Sequence, residues 1–201
     1  GEDRLQSGEA TSNANIRIPE VQEALLDRIA EVNQKIVVVL FSGRPLDIRE
    51  INKKAKAILQ VWLPGTEGAR AIADTLFGKY NPSGKLPMSF PYCVGQVPVH
   101  YNEYSTGRPH IEGKDKDRFR SKYLDIPNEP LYPFGYGLSY TTFEVSDIHL
   151  DRTWMDTSGQ IEAEVTVKNT GNCTGTETLQ LYIHDIAASV VRPVKELKDF
   201  K

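Results

Sequence analysis

The chain is 201 residues long, carries a formal net charge of −3, and is 39% hydrophobic and 25% charged. That length allows one or two domains with a sizeable core, and the composition is that of a globular protein. The charge balance gives no reason to expect nucleic acid or an anionic membrane as partner, no apolar run approaches the ~18 residues of a membrane span, and no signal-peptide pattern is present.

Residues 1–18 show no helical or strand period; Gly, Ser, Asn and Thr dominate, so they read as a loop. Pro19 suits the first turn of a helix, and Val21, Leu25, Ile29 and Val32 mark an apolar stripe running to about Asn33. Residues 36–41 are continuously apolar and mostly β-branched, the pattern of a central strand buried on both faces. Ser42-Gly43-Arg44-Pro45 stops that strand, and residues 48–56 predict a short helix. A second apolar run, residues 58–63, predicts the next strand. Pro64-Gly65 breaks it, Thr66 is placed to cap a helix with Glu67 in its first turn, and Ala69, Ile72, Ala73, Leu76 and Phe77 share one helix face before Gly78. After the turn cluster Asn81-Pro82-Ser83-Gly84, residues 86–90 predict another strand, which would make residues 57–91 a β-α-β unit. The order α-β-α-β-α-β predicts an α/β fold with a doubly wound, largely parallel sheet, whose strand ends are the usual ligand position.

From Tyr92 to Tyr140 tyrosines are scattered among Pro, Gly and charges, and the mixed-charge run around Lys114-Asp115-Lys116-Asp117-Arg118 reads as a solvated loop. From about Phe143 the period becomes two: Ile161, Ala163, Val165 and Val167 alternate with polar residues, and residues 143–150, 179–183 and 194–201 predict further strands. Those strands are too few for a whole β-sandwich.

The residues that could carry chemistry are sparse. Pro64-Gly65-Thr66-Glu67-Gly68 resembles a phosphate cradle in outline but lacks the third glycine of a dinucleotide fingerprint and the Lys-Ser/Thr of a P-loop, so it reads as a packing turn. No cofactor is expected. His100, His110, His149 and His184 show no helical ligand spacing, and Cys93 and Cys173 share no metal spacing, so no metal is expected. Arg44, at the end of the predicted central strand, suits either a carboxylate or sugar ligand or an acidic side chain that fixes the loop; the sequence leaves both open. Glu9, flanked by Gly8 and small polar residues, is reachable and suits a general acid, in competition with Glu2, Glu20 and Glu23.

Taken together, Ser7-Gly8-Glu9, Ile18-Pro19 with Gln22, residues 37–40 with Ser42-Gly43-Arg44-Pro45-Leu46, Trp62 with Gly65-Thr66-Glu67-Gly68, residues 81–87 (NPSGKLP) and residues 132–140 (YPFGYGLSY) resemble, in order and over essentially the whole chain, the C-terminal part of glycoside hydrolase family 3. Thr106-Gly107-Arg108-Pro109 is similar to the bacterial periplasmic β-glucosidase type. The resemblance implies a layered α/β sandwich domain over residues 1–142, N-terminally incomplete, then the start of an all-β fibronectin type III-like sandwich over 143–201. It implies a fragment of a retaining, exo-acting β-glucosidase-like or β-xylosidase-like enzyme, with a β-linked oligosaccharide or β-glucoside as substrate. An N-terminal barrel domain of the same protein, outside this chain, would supply the aspartate nucleophile, and the location would be periplasmic or secreted. Glu9 matches the family's acid/base glutamate in the Ser-Gly-Glu loop. Tyr104, Arg108 and Arg120 are the candidates for shaping the leaving-group subsite. The alternatives are a non-catalytic carbohydrate-binding or scaffold module and, less well supported, a nucleotide-binding α/β protein.

Overall fold

The computed structural model describes residues 1–3, 5, 6, 8–111, 113 and 117–201. After the N-terminal loop, α1 (Glu20–Val32) follows Pro19, which supplies no side-chain cap. Then come β1 (Val37–Leu40), α2 (Arg49–Lys54), β2 (Ala57–Gln60) and α3 (Gly68–Leu76). β1 and β2 pair in parallel from Val37↔Ala57 to Leu40↔Gln60, with α2 as the crossover. Ile18, Leu26, Ile36, Leu40, Leu46, Ile48, Ile51 and Phe90 form the core over this unit, with Trp62 and Tyr132 packed against it.

Several expectations need correction. Residues 86–90 do not extend the parallel sheet, which has two strands among the described residues. They run antiparallel to residues 132–136 instead, through the bridge Phe90↔Tyr132 and the bonds Leu86 N–H to Tyr136 C=O (2.8 Å) and Gly135 N–H to Leu86 C=O (2.8 Å). Pro87 and Pro91 explain this, because a strand with prolines cannot donate to neighbours on both edges. β1 is not buried on both faces: Leu40 is buried, but Val37 and Phe41 are 54% and 43% exposed, since the described sheet gives β1 one neighbour.

The helix faces also differ from the periodicity. In α1 only Leu26 is buried, whereas Val21 and Val32 on the apolar stripe are 75% and 85% exposed. In α3 the N-cap position falls on Glu67 rather than Thr66, without a side-chain cap bond. Its buried residues are Gly68 and Thr75, not the apolar stripe, and Phe77 is exposed. Gly68 decides this packing: a Cβ there would lie 2.6 Å from Pro64 Cγ, so the helix start seats directly on the turn. Gly78, with φ +73°, ends the helix as expected.

The C-terminal residues form small antiparallel pairs. β3 (Phe143–Val145) pairs with β6 (Val167–Asn169), β4 (His149–Leu150) with β5 (Ala163–Glu164), and β7 (Gln180–Ile183) with β8 (Glu196–Phe200). Just beyond β3, Ser146 N–H reaches Thr166 C=O (2.9 Å) and Thr166 N–H reaches Ser146 Oγ (2.8 Å), between the first two pairs.

Residues 81–87 and 132–140 lock this region to the first. Asn81 Oδ1 accepts from Ser139 Oγ (2.9 Å) and Tyr140 N–H (2.8 Å), while its Nδ2 donates to Thr174 C=O (2.9 Å). Lys85 donates to Gly137 C=O (2.9 Å) and pairs with Glu177 at 2.6 Å. Burial pushes the Glu177 carboxyl up, but the Lys85 ammonium and the Thr178 amide outweigh it, leaving Glu177 below its usual range. Tyr101 stacks on Phe134 at 4.3 Å and meets Tyr182 edge-on at 5.9 Å.

Candidate active site

Glu9 occupies the corner of a turn that returns Thr11 N–H to Gly8 C=O at 3.4 Å. The next residue, Ala10, has φ +55°, a left-handed conformation that costs an L-residue roughly 1–2 kcal/mol. A Cβ on Gly8 would lie 2.7 Å from Thr11 Oγ1, so the turn closes tightly on its first residue. Glu9 is exposed, and its carboxylate makes no hydrogen bond or ion pair among the described residues. Ser7, the first residue of the Ser-Gly-Glu motif, lies outside the described residues.

The competing glutamates are occupied or placed elsewhere. Glu23 pairs with Arg17 at 3.1 Å, and Glu20 sits in the first turn of α1. Glu2 is tied to the scaffold twice. Its N–H donates to Phe41 C=O at the end of β1 (3.1 Å), and its carboxylate, 7% exposed, pairs with Arg44 at 2.8 Å. Of the two partners the sequence allows, the structure gives Arg44 the acidic side chain. Its Nε donates to Glu2 Oε1 (2.8 Å), Nη1 to Asn13 C=O, and Nη2 to Asn15 C=O (3.1 Å). Just beyond, Asp47 N–H donates to Ile16 C=O (2.8 Å), and Ile16 and Ile18 are buried. Both ends of the Glu9 loop therefore meet at the C-terminal end of β1, the edge at which parallel sheets place ligands.

Tyr104, Arg108 and Arg120 belong to a second loop. Arg108 and Arg120 come together: Ser121 N–H donates to Arg108 C=O (2.9 Å), Arg120 Nη1 donates to Pro109 C=O (3.0 Å), and the Arg108 guanidinium lies 5.9 Å from the Phe119 ring centre. Arg120 also holds Asp117 at 2.9 Å. Tyr104, 62% exposed, bridges instead to Pro193, beside the Val194 N–H bond to Glu103 C=O (2.8 Å). Among the described residues no hydrogen bond or ion pair joins any of the three to Glu9.

The glycine turn at residues 64–68 is a packing turn, with Gly65 at φ +70° and Gly68 N–H on Gly65 C=O (3.2 Å). Among the described residues no group of His, Cys, Asp or Glu is arranged to hold a metal ion, no helix is long and apolar enough to cross a membrane, and both cysteines are free thiols. Sequence reasoning counted Glu2 only as a rival to Glu9 and gave no role to the Asn13 and Asn15 carbonyls. No spacing rule links position 2 to position 44, and backbone acceptors leave no residue-type signal.

The model of the glycosyl hydrolase family 3 C-terminal domain matches residues 1–140. A periplasmic beta-glucosidase of Salmonella typhimurium is 49% identical over 201 residues, covering 100% of this chain and 26% of that protein. A beta-xylosidase of Formosa agariphila is 42% identical, covering 100% of this chain and 27% of its own. Among solved structures, the beta-glucosidase from Listeria innocua in complex with isofagomine superposes with a TM-score of 0.95 at 46% identity, over 100% of this chain and 28% of that one. The chain thus spans about a quarter of the length of the curated relatives it matches.

Proposed function

The chain belongs to the glycosyl hydrolase family 3 C-terminal domain family, and on that premise we propose that it is the acid/base-bearing part of a retaining, exo-acting β-glycosidase that removes terminal β-D-glucosyl residues. The observation that carries this reading is the Glu9 turn: an exposed carboxylate, free of partners among the described residues, on a loop whose two ends are fastened to the end of a parallel strand. A retaining mechanism needs two carboxyl groups about 5–5.5 Å apart. Glu9 would supply one. It protonates the glycosidic oxygen as the aglycone leaves, then as carboxylate takes a proton from the water that releases the sugar. The other, an aspartate nucleophile, would lie on an N-terminal barrel domain of the same protein.

The finer architecture belongs to the same proposal. Residues 1–142 form most of a layered α/β sandwich domain, supported by the parallel β1-α2-β2 unit and by the family match ending at residue 140. Residues 143–201 begin a fibronectin type III-like sandwich, supported by their antiparallel ladders. Tyr104, Arg108 and Arg120 shape the leaving-group side of the site, supported by their exposed or half-buried positions on one loop. The periplasmic relative supports a periplasmic or secreted location.

The test is Glu9→Ala in the full-length enzyme. Removing a general acid costs typically about 10²–10⁴-fold, so kcat/KM on cellobiose should fall by that order, and far less on a dinitrophenyl glucoside, whose leaving group needs no proton. Equal losses on both substrates would remove the acid role. The isolated 201-residue chain, lacking the nucleophile, should turn over no aryl β-glucoside.

A further inference from the structure

We propose that Arg44 is a positioning residue for the acid/base loop: its guanidinium fastens both ends of that loop and so sets where Glu9 can reach. This rests on the reading of Glu9 given above and assigns a determinant of that same site. The turn holding Glu9 is weakly closed, by one 3.4 Å bond, and the Glu9 side chain makes no hydrogen bond or ion pair among the described residues. Its placement must therefore come from the base of the loop. There the outgoing end is Glu2 and the returning end is Asn13 to Asn15, and one side chain joins them.

Arginine suits this task because its donors point in fixed, coplanar directions. Nε takes the Glu2 carboxylate while the two terminal nitrogens take the backbone carbonyls of Asn13 and Asn15 on the far side. The anchor is also half-buried, with side-chain exposures of 30% for Arg44 and 7% for Glu2, so water screens the pair less than at an open surface. Arg44 itself is held at the end of β1, between buried Ser42 and buried Leu46, which makes the clamp part of the rigid scaffold. Pinning both ends of a flexible loop shortens the span its tip can explore, and an error near 1 Å in a reacting group can cost about 10²-fold in rate.

Lysine separates positioning from charge compensation. Arg44→Lys keeps a cation for Glu2, so the buried carboxylate stays paired, but a single ammonium cannot also span the Asn13 and Asn15 carbonyls. In the full-length enzyme Arg44→Lys should retain the wild-type Tm within a few degrees, lower kcat/KM on cellobiose by about 10–100-fold, and lower it about tenfold less on a dinitrophenyl glucoside. In a Glu9→Ala background the same substitution should cost almost nothing further on cellobiose, because the group it positions is gone. A second variant, the double Glu2→Gln/Arg44→Gln, removes both charges of the clamp together and should show the same leaving-group dependence. Full activity in Arg44→Lys, equal losses on both substrates, or an undiminished loss in the Glu9→Ala background would each overturn the proposal. If Glu9→Ala alone shows no leaving-group dependence, the acid reading fails first and takes this one with it. If it does while the Arg44 and Glu2 variants do not, only the positioning role falls.

Discussion

Around Glu9, the chain turns on one long 3.4 Å bond and leaves a carboxylate without partners among the described residues. Around Asn81, the chain does the reverse. One amide side chain reaches Ser139, Tyr140 and Thr174, Lys85 bridges Gly137 and Glu177, and Leu86 and Phe90 zip onto residues 132–136. The second region has the longer motifs, yet every polar group just named is spent on packing one part of the chain to another. The first has a three-residue motif and a group left free to react. Motif length in this protein tracks the number of contacts to be satisfied, whereas chemistry needs one side chain kept clear of them.

The contrast can be broken most sharply at Glu9. Glu9→Ala in the full-length enzyme should cost orders of magnitude in activity on unactivated substrates, and stability should move by no more than about 0.5 kcal/mol, as for a surface site without contacts. A large drop in Tm measured by calorimetry would show that the turn is structural after all. Gly137→Ala should behave oppositely. The added Cβ would lie 2.4 Å from the Gly84 carbonyl oxygen, and forcing such an overlap costs typically about 1–3 kcal/mol. Tm should fall while the ratio of kcat/KM values for good and poor leaving groups stays at wild type; a changed ratio would tie the paired segments to the chemistry.

Asn81→Ala should come next in size. It strands the Tyr140 N–H and the Thr174 carbonyl, at about 1–2 kcal/mol in these partly solvated positions, read as a lower Tm and earlier hydrogen exchange at Tyr140. The smallest effect is electrostatic. Glu177 is held below its unfolded value, so its contribution is fully present above that value, ordinarily 4.5, and is lost as pH falls through the lower folded value. Thermal scans below pH 4.5 should show Glu177→Gln losing less Tm on acidification than wild type; parallel curves would mean the Lys85 pair adds nothing.

The helices and the parallel β1-β2 pair were legible because apolar periodicity and turn residues are local signals. Pro19, Gly78 and the run at residues 37–40 each mark a boundary through their own backbone chemistry. The partner of residues 86–90 was not legible: their pattern says strand, but which segment pairs with them depends on residues 132–136, more than forty positions away. Burial of helix faces failed for a related reason. The apolar stripe of α1 is present in sequence, but whether it is covered depends on neighbours that periodicity cannot name, and here Val21 and Val32 are open. At the candidate site Glu9 stood out only through its small, polar neighbours and the family resemblance. Arg44 was legible as a position at a strand end and ambiguous in role, because its acceptors are two backbone carbonyls and a glutamate at the other end of a loop.

The central claim, that Glu9 serves as acid and then base, is tested most directly by azide. In full-length Glu9→Ala acting on a dinitrophenyl β-glucoside, the sugar reaches the covalent intermediate without acid help, and release to water then lacks its base. Azide needs no base, and it can attack the anomeric carbon from the side Glu9 has vacated, displacing the proposed aspartate nucleophile as a carboxylate. Turnover should rise with azide concentration and the product should be the β-configured glucosyl azide. No acceleration, or the α-configured azide, would contradict the assignment.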